Sequence, residues 1–229
     1  MLLAIFIGFA LLSFIVSSRL KSKFNKYSQV GLSMSGAEVA KRMLENNGIY
    51  DVTIRPVEGS LTDHYNPTDK TVNLSHDVYY GRSVSAAAVA AHETGHAIQH
   101  ATAYSWLQLR TALVPLQNVS AKILNVIFIV MFAGAFLLPN LMPMTLALQI
   151  IVAAYAVFAL FAVVTLPVEI NASQRAIAWL TGSGIIVGET REQARDALKW
   201  AAYTYVVAAL SAIATLLYYV MMLVGRNDD

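Results

Sequence analysis

The stretch Ser83-Val84-Ser85-Ala86-Ala87-Ala88-Val89-Ala90-Ala91-His92-Glu93-Thr94-Gly95-His96-Ala97-Ile98-Gln99 decides how this chain is read. It is rich in strong helix formers, and Ser83 or Ser85 stands where a cap would start it. Residues i and i+4 share a helical face, so His92 and His96 present two imidazoles one turn apart with Glu93 beside them. This H-E-x-x-H spacing lets both rings bind one Zn²⁺ while the carboxylate points toward a metal-bound water. The residue types answer a chemical need. Zinc lowers the pKa of its water to about 7 and polarises a carbonyl, and a nearby carboxylate takes the proton and hands it to a leaving amine. Gly95 costs such a helix about 1 kcal/mol relative to Ala, which predicts another element packed closely against it.

A hydrolytic zinc site takes a further protein ligand and keeps one position open. His100 continues the i, i+4 series, but at 1.5 Å per residue it lies about 12 Å along the axis from His92. That is too far for one ion with bonds of about 2 Å. The third ligand has to come from another segment. The sequence contains no cysteine, so thiolate sites and disulfides are excluded.

Outside this stretch the composition is that of a membrane protein: 57% hydrophobic and 13% charged over 229 residues. Residues 2–17 are uncharged, with Arg19, Lys21, Lys23 and Lys26 behind them and no basic residue in front. A cleavable leader has its charge in front, so this segment reads as a retained anchor. Three further apolar segments, near 120–139, 145–167 and 201–224, approach or reach the length needed to cross a hydrocarbon layer of about 30 Å. Lys122 sits near the start of the first of these, where it can snorkel. Pro139-Asn140-Leu141-Met142-Pro143 reads as a tight turn between two spans.

The cations orient these spans. Arg19, Lys21, Lys23, Lys26, Arg110, Lys122, Arg175, Arg191, Arg195 and Lys199 all fall near span ends on one side, and only Arg226 lies beyond the last span. By the positive-inside rule that side is cytoplasmic and both termini face out. The formal charge of +2 conceals this asymmetry. The basic residues are those the topology needs, so the chain is not expected to bind nucleic acid.

Between the first two spans, 35–44 reads as a short amphipathic helix capped by Ser35 and closed by Asn46-Asn47-Gly48. Residues 52–57 and 71–75 alternate like strands, the second following an Asn66-Pro67-Thr68-Asp69 turn. An edge strand beside the motif helix could take an extended substrate by strand addition, and 71–75 is the candidate. The second water-facing segment opens with Leu166-Pro167-Val168-Glu169-Ile170-Asn171. Glu169 is the only acidic residue between Glu93 and Glu189. The 120–167 hairpin crosses twice and returns it to the motif's side, so Glu169 is the expected third ligand. Asn171 and Arg175 follow it as groups that could orient ligands or bind substrate.

These residues together resemble the bacterial membrane-bound neutral zinc metallopeptidases of the YugP-like kind, similar in pattern to the HtpX-type and CAAX-processing membrane proteases. The resemblance runs through the N-terminal anchor, Asp63-His64-Tyr65-Asn66-Pro67, Ser83 to His96, Val168-Glu169-Ile170-Asn171-Ala172-Ser173 and Trp200-Ala201-Ala202-Tyr203-Thr204-Tyr205. It implies zinc on His92, His96 and Glu169 with Glu93 as catalytic acid and base. The chain departs from the pattern at Asn171, where relatives often carry Asp. It departs again at Ser173, where HtpX-type relatives have Asp four residues after the ligand Glu.

The expected fold is mainly α: a four-span helical membrane protein with a cytoplasmic, zincin-like α+β catalytic part. Its expected parts are an anchor (1–18), a zincin-like segment with the motif helix (19–118), a transmembrane hairpin (119–168), a helical segment with the third ligand (169–200) and a last span (201–225). The expected function is a membrane-anchored zinc endopeptidase with one Zn²⁺ per chain, the bilayer around its spans and a protein or peptide substrate, including membrane-associated ones. An oxyanion donor would come from His64, Tyr65, Arg175 or Tyr203. Two other readings compete. A site-2-type intramembrane protease needs its motif inside an apolar span and an Asp ligand, and no span contains Asp. A catalytically silent zinc scaffold has no use for Glu93, because a structural site closes all four positions.

Overall fold

The computed structural model describes residues 2–136 and 142–225. In chain order these form α1 (Leu2–Tyr27), α2 (Gly36–Asn46), β1 (Thr53–Val57), β2 (His64–Asn66), β3 (Thr71–Ser75), α3 (His76–Tyr79), α4 (Val84–Ala101), α5 (Ser105–Phe136), α6 (Met144–Gly182) and α7 (Glu189–Gly225). The chain is mainly helical with one small sheet. It divides into two compact units: Phe14–Gln108 with Leu166–Thr204, and a second made of the segment up to Ser13, Leu109–Thr165 and the segment from Tyr205 onward.

In the first unit the caps foreseen in the sequence close as reciprocal bonds. Ser35 Oγ accepts from Glu38 N at 3.2 Å and Glu38 Oε2 accepts from Ser35 N at 2.7 Å, which satisfies two donors left over at the start of α2. The Arg82 guanidinium adds an ion pair to Glu38 at 2.9 Å. The Ser35 N–H and this arginine hold the Glu38 carboxyl below its usual range. Gly36 is required at the first turn of α2, because a Cβ there would collide with the Val78 carbonyl. Ser83, of the two serines considered, caps α4 by accepting from Ala86 N at 3.3 Å.

The sheet runs β1-β3-β2, with β1 parallel and β2 antiparallel to β3. All five residues of β3 are buried. The strand at 71–75 is therefore central, and the expectation that it offers an open edge to substrate is corrected. Its edge partner near α4 is β2, three residues long and too short to show a pattern in the sequence. Val39, Met43 and Leu44 of α2, Val72 and Leu74 of β3 and the alanines of α4 pack into one core with Leu180, Ile186 and Leu198. Alanine is the residue that lets α4 sit this deep, with neighbours close to its backbone on several sides.

The second unit is an apolar helical cluster. Leu124 and Ile127 of α5, Ala147, Leu148, Ile151 and Ala154 of α6 and Tyr219 of α7 form its interior, and Tyr155 stacks on Tyr219 at 5.2 Å. Its outer surface is apolar too: Leu3, Ile129 and Leu217 are exposed. Extensive exposed apolar surface marks a membrane or partner contact. Four helices, α1, α5, α6 and α7, are long and apolar enough to cross a membrane.

The helices outlast the spans read from the sequence. α1 continues through the basic residues to Tyr27, α5 begins at Ser105 and α6 runs past Pro167 to Gly182. A bilayer boundary does not end a helix, and Lys and Arg are good helix formers. Proline removes one backbone hydrogen bond, which a long, packed apolar helix tolerates. The expected turn at 139–143 and Arg226 lie, in whole or part, outside the described residues.

Candidate metal centre

The centre is built where α4 and α6 cross. On α4, His92, Gly95, His96 and Gln99 fall at i, i+3, i+4 and i+7 and so share a face; on α6, Glu169, Ala172 and Ser173 do the same. A Cβ on Gly95 would lie 2.9 Å from the Ala172 carbonyl oxygen and 3.2 Å from its Cα, so the absence of a side chain is what allows this approach. The close packing predicted at Gly95 is observed, and it carries Glu169 to the two histidines.

Glu169 Oε2 lies 3.3 Å from His92 Nε2 and 3.5 Å from His96 Nε2, and the ligand atoms of the three residues all fall within 4.8 Å of one another. The imidazoles stand nearly perpendicular, at 84° with centroids 4.8 Å apart. All three side chains are buried, Glu169 to 2% exposure. Two imidazole nitrogens and one carboxylate oxygen form a donor set suited to zinc. Tetrahedral bonds of about 2.0–2.1 Å put neighbouring ligand atoms roughly 3.3–3.4 Å apart, close to the two distances from Glu169 Oε2. The residues therefore fit a Zn²⁺ ion. The electrostatics point the same way: burial opposes charge on His96, yet the Glu169 carboxylate outweighs it and raises the imidazole's proton affinity above the ordinary value.

Each imidazole is held from behind through its other nitrogen. Gln99 Oε1 is 3.0 Å from His96 Nδ1, and Gln99 Nε2 donates to Val168 O at 2.8 Å and to Asn171 Oδ1 at 3.0 Å. Arg175 Nε donates to the same Asn171 oxygen at 2.7 Å. The direction of this chain is forced. Arginine can only donate, so the Asn171 atom it meets is the oxygen; that oxygen and the Val168 carbonyl can only accept, so the Gln99 amide nitrogen faces both and its oxygen faces His96. His96 Nδ1 then carries a proton, which leaves Nε2, on the Glu169 side, as the nitrogen that would ligate a cation. Ser173 Oγ is 3.1 Å from His92 Nδ1 and supports that ring. A hydroxyl thus occupies the place where the resemblance led one to expect a carboxylate.

Glu93 stands apart from the three ligand atoms. It is only partly buried, and its Oε2 accepts from the backbone N of Tyr65 on β2 at 3.1 Å. Tyr65 pairs with Val72 in the ladder, so β2 presents this N–H to α4 instead of to the sheet. The strand is itself fixed twice. Tyr65 Oη meets His100 Nδ1 at 2.8 Å, and Asp63 accepts from Ser75 N at 2.7 Å and from its hydroxyl at 3.1 Å. Burial pushes the Asp63 carboxyl up, against the Ser75 hydrogen bonds and with help from the Glu93 charge.

His100 is exposed and engaged with Tyr65, outside the ligand cluster. Of the oxyanion candidates, the Tyr65 hydroxyl is bound to His100, Arg175 to Asn171, and Tyr203 packs edge-on to Trp200 under the Lys199 ammonium. His64 lies exposed at the start of β2, its Nδ1 2.8 Å from Thr62 O. Gln99 and Ser173 carry roles that the sequence reading did not assign.

The comparisons with known proteins identify the family. The family described as "Putative neutral zinc metallopeptidase" matches residues 2–224. The chain is 44% identical over 220 residues to the "Putative membrane protease YugP" of Bacillus subtilis (strain 168), an alignment that covers 95% of this chain and 94% of that protein. No solved structure gives a significant match. With four apolar helices and a match extending from the first of them into the last, the chain belongs to this family of membrane-associated neutral zinc metallopeptidases.

Proposed function

We propose that this protein is a membrane-anchored endopeptidase that hydrolyses peptide bonds of protein substrates at the cytoplasmic membrane face, with one Zn²⁺ per chain held by His92, His96 and Glu169. The observation that carries the reading is the convergence of three buried donors beside a carboxylate that is not one of them. When bound, Zn²⁺ supplies a Lewis acid for the scissile carbonyl and lowers the pKa of the attacking water. His96 presents its Nε2 lone pair because Gln99 holds the proton on Nδ1, and Glu169 contributes the negative charge that favours a cation. Glu93 is the general base. Its Oε2 is fixed by Tyr65 N, and its Oε1 takes the proton from water as the water oxygen bonds to the carbonyl carbon. The same oxygen returns that proton to the amide nitrogen as the C–N bond breaks. An extended substrate is expected to lie along β2, the edge strand that already touches Glu93.

Glu93→Gln separates this reading from a silent scaffold. Gln keeps the shape and can still accept from Tyr65 N, but it cannot carry a proton, so zinc content by elemental analysis should stay at one per chain. Cleavage of a protein substrate in detergent should fall by roughly 10²–10⁴-fold. Glu169→Ala should instead strip the metal and His100→Ala should leave it. Near-wild-type cleavage by Glu93→Gln would sink the assignment of the base.

A further inference from the structure

Between α6 and the start of α7 lies a cavity of about 570 Å³. Ile170, Ile177 and Leu198 give it apolar walls, and Arg191, Arg195 and Lys199 line it from α7. Among the described residues no acid lines it. The cations recur every four residues, on one face of the helix. The acids nearby do not cancel them: Asp196 is held by Lys23 at 2.7 Å and by the Tyr27 hydroxyl at 2.6 Å. Glu192 makes only an exposed contact to Arg195 at 3.4 Å, a kind of pair that contributes little.

Two features say what this cavity takes. The first is depth. Lys199 precedes the apolar run that begins at Ala201 and continues toward Val224. The layers outside the hydrocarbon core are roughly 5–8 Å thick on each side. At 1.5 Å per residue Lys199 lies about 3 Å, Arg195 about 9 Å and Arg191 about 15 Å along the axis from Ala201, so Lys199 falls within that layer, Arg195 at its outer edge and Arg191 beyond it, from where long side chains reach back toward the headgroups. Trp200 and Tyr203, edge-to-face at 5.4 Å, are residues typical of this depth. The second is the Thr181 hydroxyl, which lines the cavity, is buried and has no hydrogen-bond partner among the described residues. A buried hydroxyl without a partner is costly, so the ligand carries an acceptor oxygen above an apolar body.

We propose that this cavity binds an anionic phospholipid drawn from the surrounding bilayer. The phosphate sits on Arg195 and Lys199 with Arg191 at the rim, the first part of an acyl chain lies along Ile170, Ile177 and Leu198, and an ester oxygen accepts from Thr181. Basic pockets between membrane helices bind lipid headgroups in this way. The site is independent of peptide hydrolysis, although Ser173, which supports His92, forms part of its wall.

The test uses the full chain in phosphatidylcholine nanodiscs, with phosphatidylglycerol titrated in and bound lipid counted by native mass spectrometry. Each cation is expected to contribute roughly fivefold to the preference for the anionic lipid. Arg191→Gln, Arg195→Gln and Lys199→Gln combined should therefore lower it by roughly 100-fold, while Lys41→Gln with Arg42→Gln on α2 should not. The single substitutions, at about fivefold each, serve if the triple variant does not accumulate. Ala178→Phe keeps every charge and fills the cavity, and should also abolish retention of the lipid. A preference that survives Ala178→Phe would reduce the effect to surface charge and overturn the cavity assignment. Displacement of the lipid by inorganic phosphate or by an acidic peptide at comparable concentration would overturn the choice of ligand.

Discussion

Gln99 is fully buried, with its oxygen on His96 and its two amide hydrogens on Val168 and Asn171. It is a positioning residue. Gln99→Leu would fill the same space but leave the His96 Nδ1–H without its acceptor, and the ring would be free to move its proton to Nε2. Losing the group that orients a metal-bound histidine costs about 10–100-fold in affinity, to be read by competition against a chelator. Gln99→Glu, which can still accept from Nδ1–H, should recover part of that loss; equal affinities in all three proteins would remove Gln99 from the centre. The contrast with His92, Glu93 and His96 shows what a sequence exposes at this scale. Those three are neighbours on one helix, so their spacing alone states their geometry. Glu169 was reachable by counting membrane crossings, because few acids compete for the role. Gln99 also falls on the histidine face, but its role depends on the register at which α6 crosses α4, and no local pattern encodes that register. The same holds for Ser173, which looked like a departure and proves to touch His92.

At the scale of elements, the crossing of α4 and α6 sets two effects against each other at Gly95. Replacing a helical glycine by alanine favours the helix by about 1 kcal/mol. Here the added methyl would stand 2.9 Å from the Ala172 carbonyl oxygen, a backbone atom with nowhere nearby to go. The expected outcome of Gly95→Ala is that α6 retreats, the 3.3 and 3.5 Å spacings around Glu169 Oε2 open, and zinc affinity falls although helix propensity has improved. Unchanged affinity with a raised thermal midpoint would show that the crossing tolerates a side chain and that propensity wins. The sheet teaches a different lesson. The residue types of β3 alternate polar and apolar over all five positions and those of β1 up to Pro56, which made both legible, although all five residues of β3 are buried. β2 has three residues and exists because Asp63 and Tyr65 tie it to Ser75, His100 and Glu93. Its position at the edge depends on the order β1-β3-β2, which sequence order does not reveal.

For the whole molecule, the way the chain faces sets the compartment of its proposed substrates. Ten cations flank the spans on one side and Arg226 alone follows the last one. The bias of Lys and Arg in short flanking segments is the main determinant of orientation, and four spans return the chain to the side on which it began. Both termini are thus expected outside, with the motif helix and Glu169 in the cytosol. The loop between β1 and β2 offers an exposed insertion point at Gly59-Ser60. It is better suited than the neighbourhood of Lys26, which α1 holds in a helix beside the Tyr27 to Asp196 hydrogen bond. A reporter active only in the cytosol should light up at Gly59-Ser60, and one active only outside should light up when fused after Asp229. The reverse pattern at both points would turn the chain around, with the candidate metal centre facing the exterior and extracytoplasmic proteins as the proposed substrates. A cytosolic signal at both would mean that one of the four apolar helices does not cross, and the anchor at 2–17, bounded by charge on one side only, would be the first to re-examine.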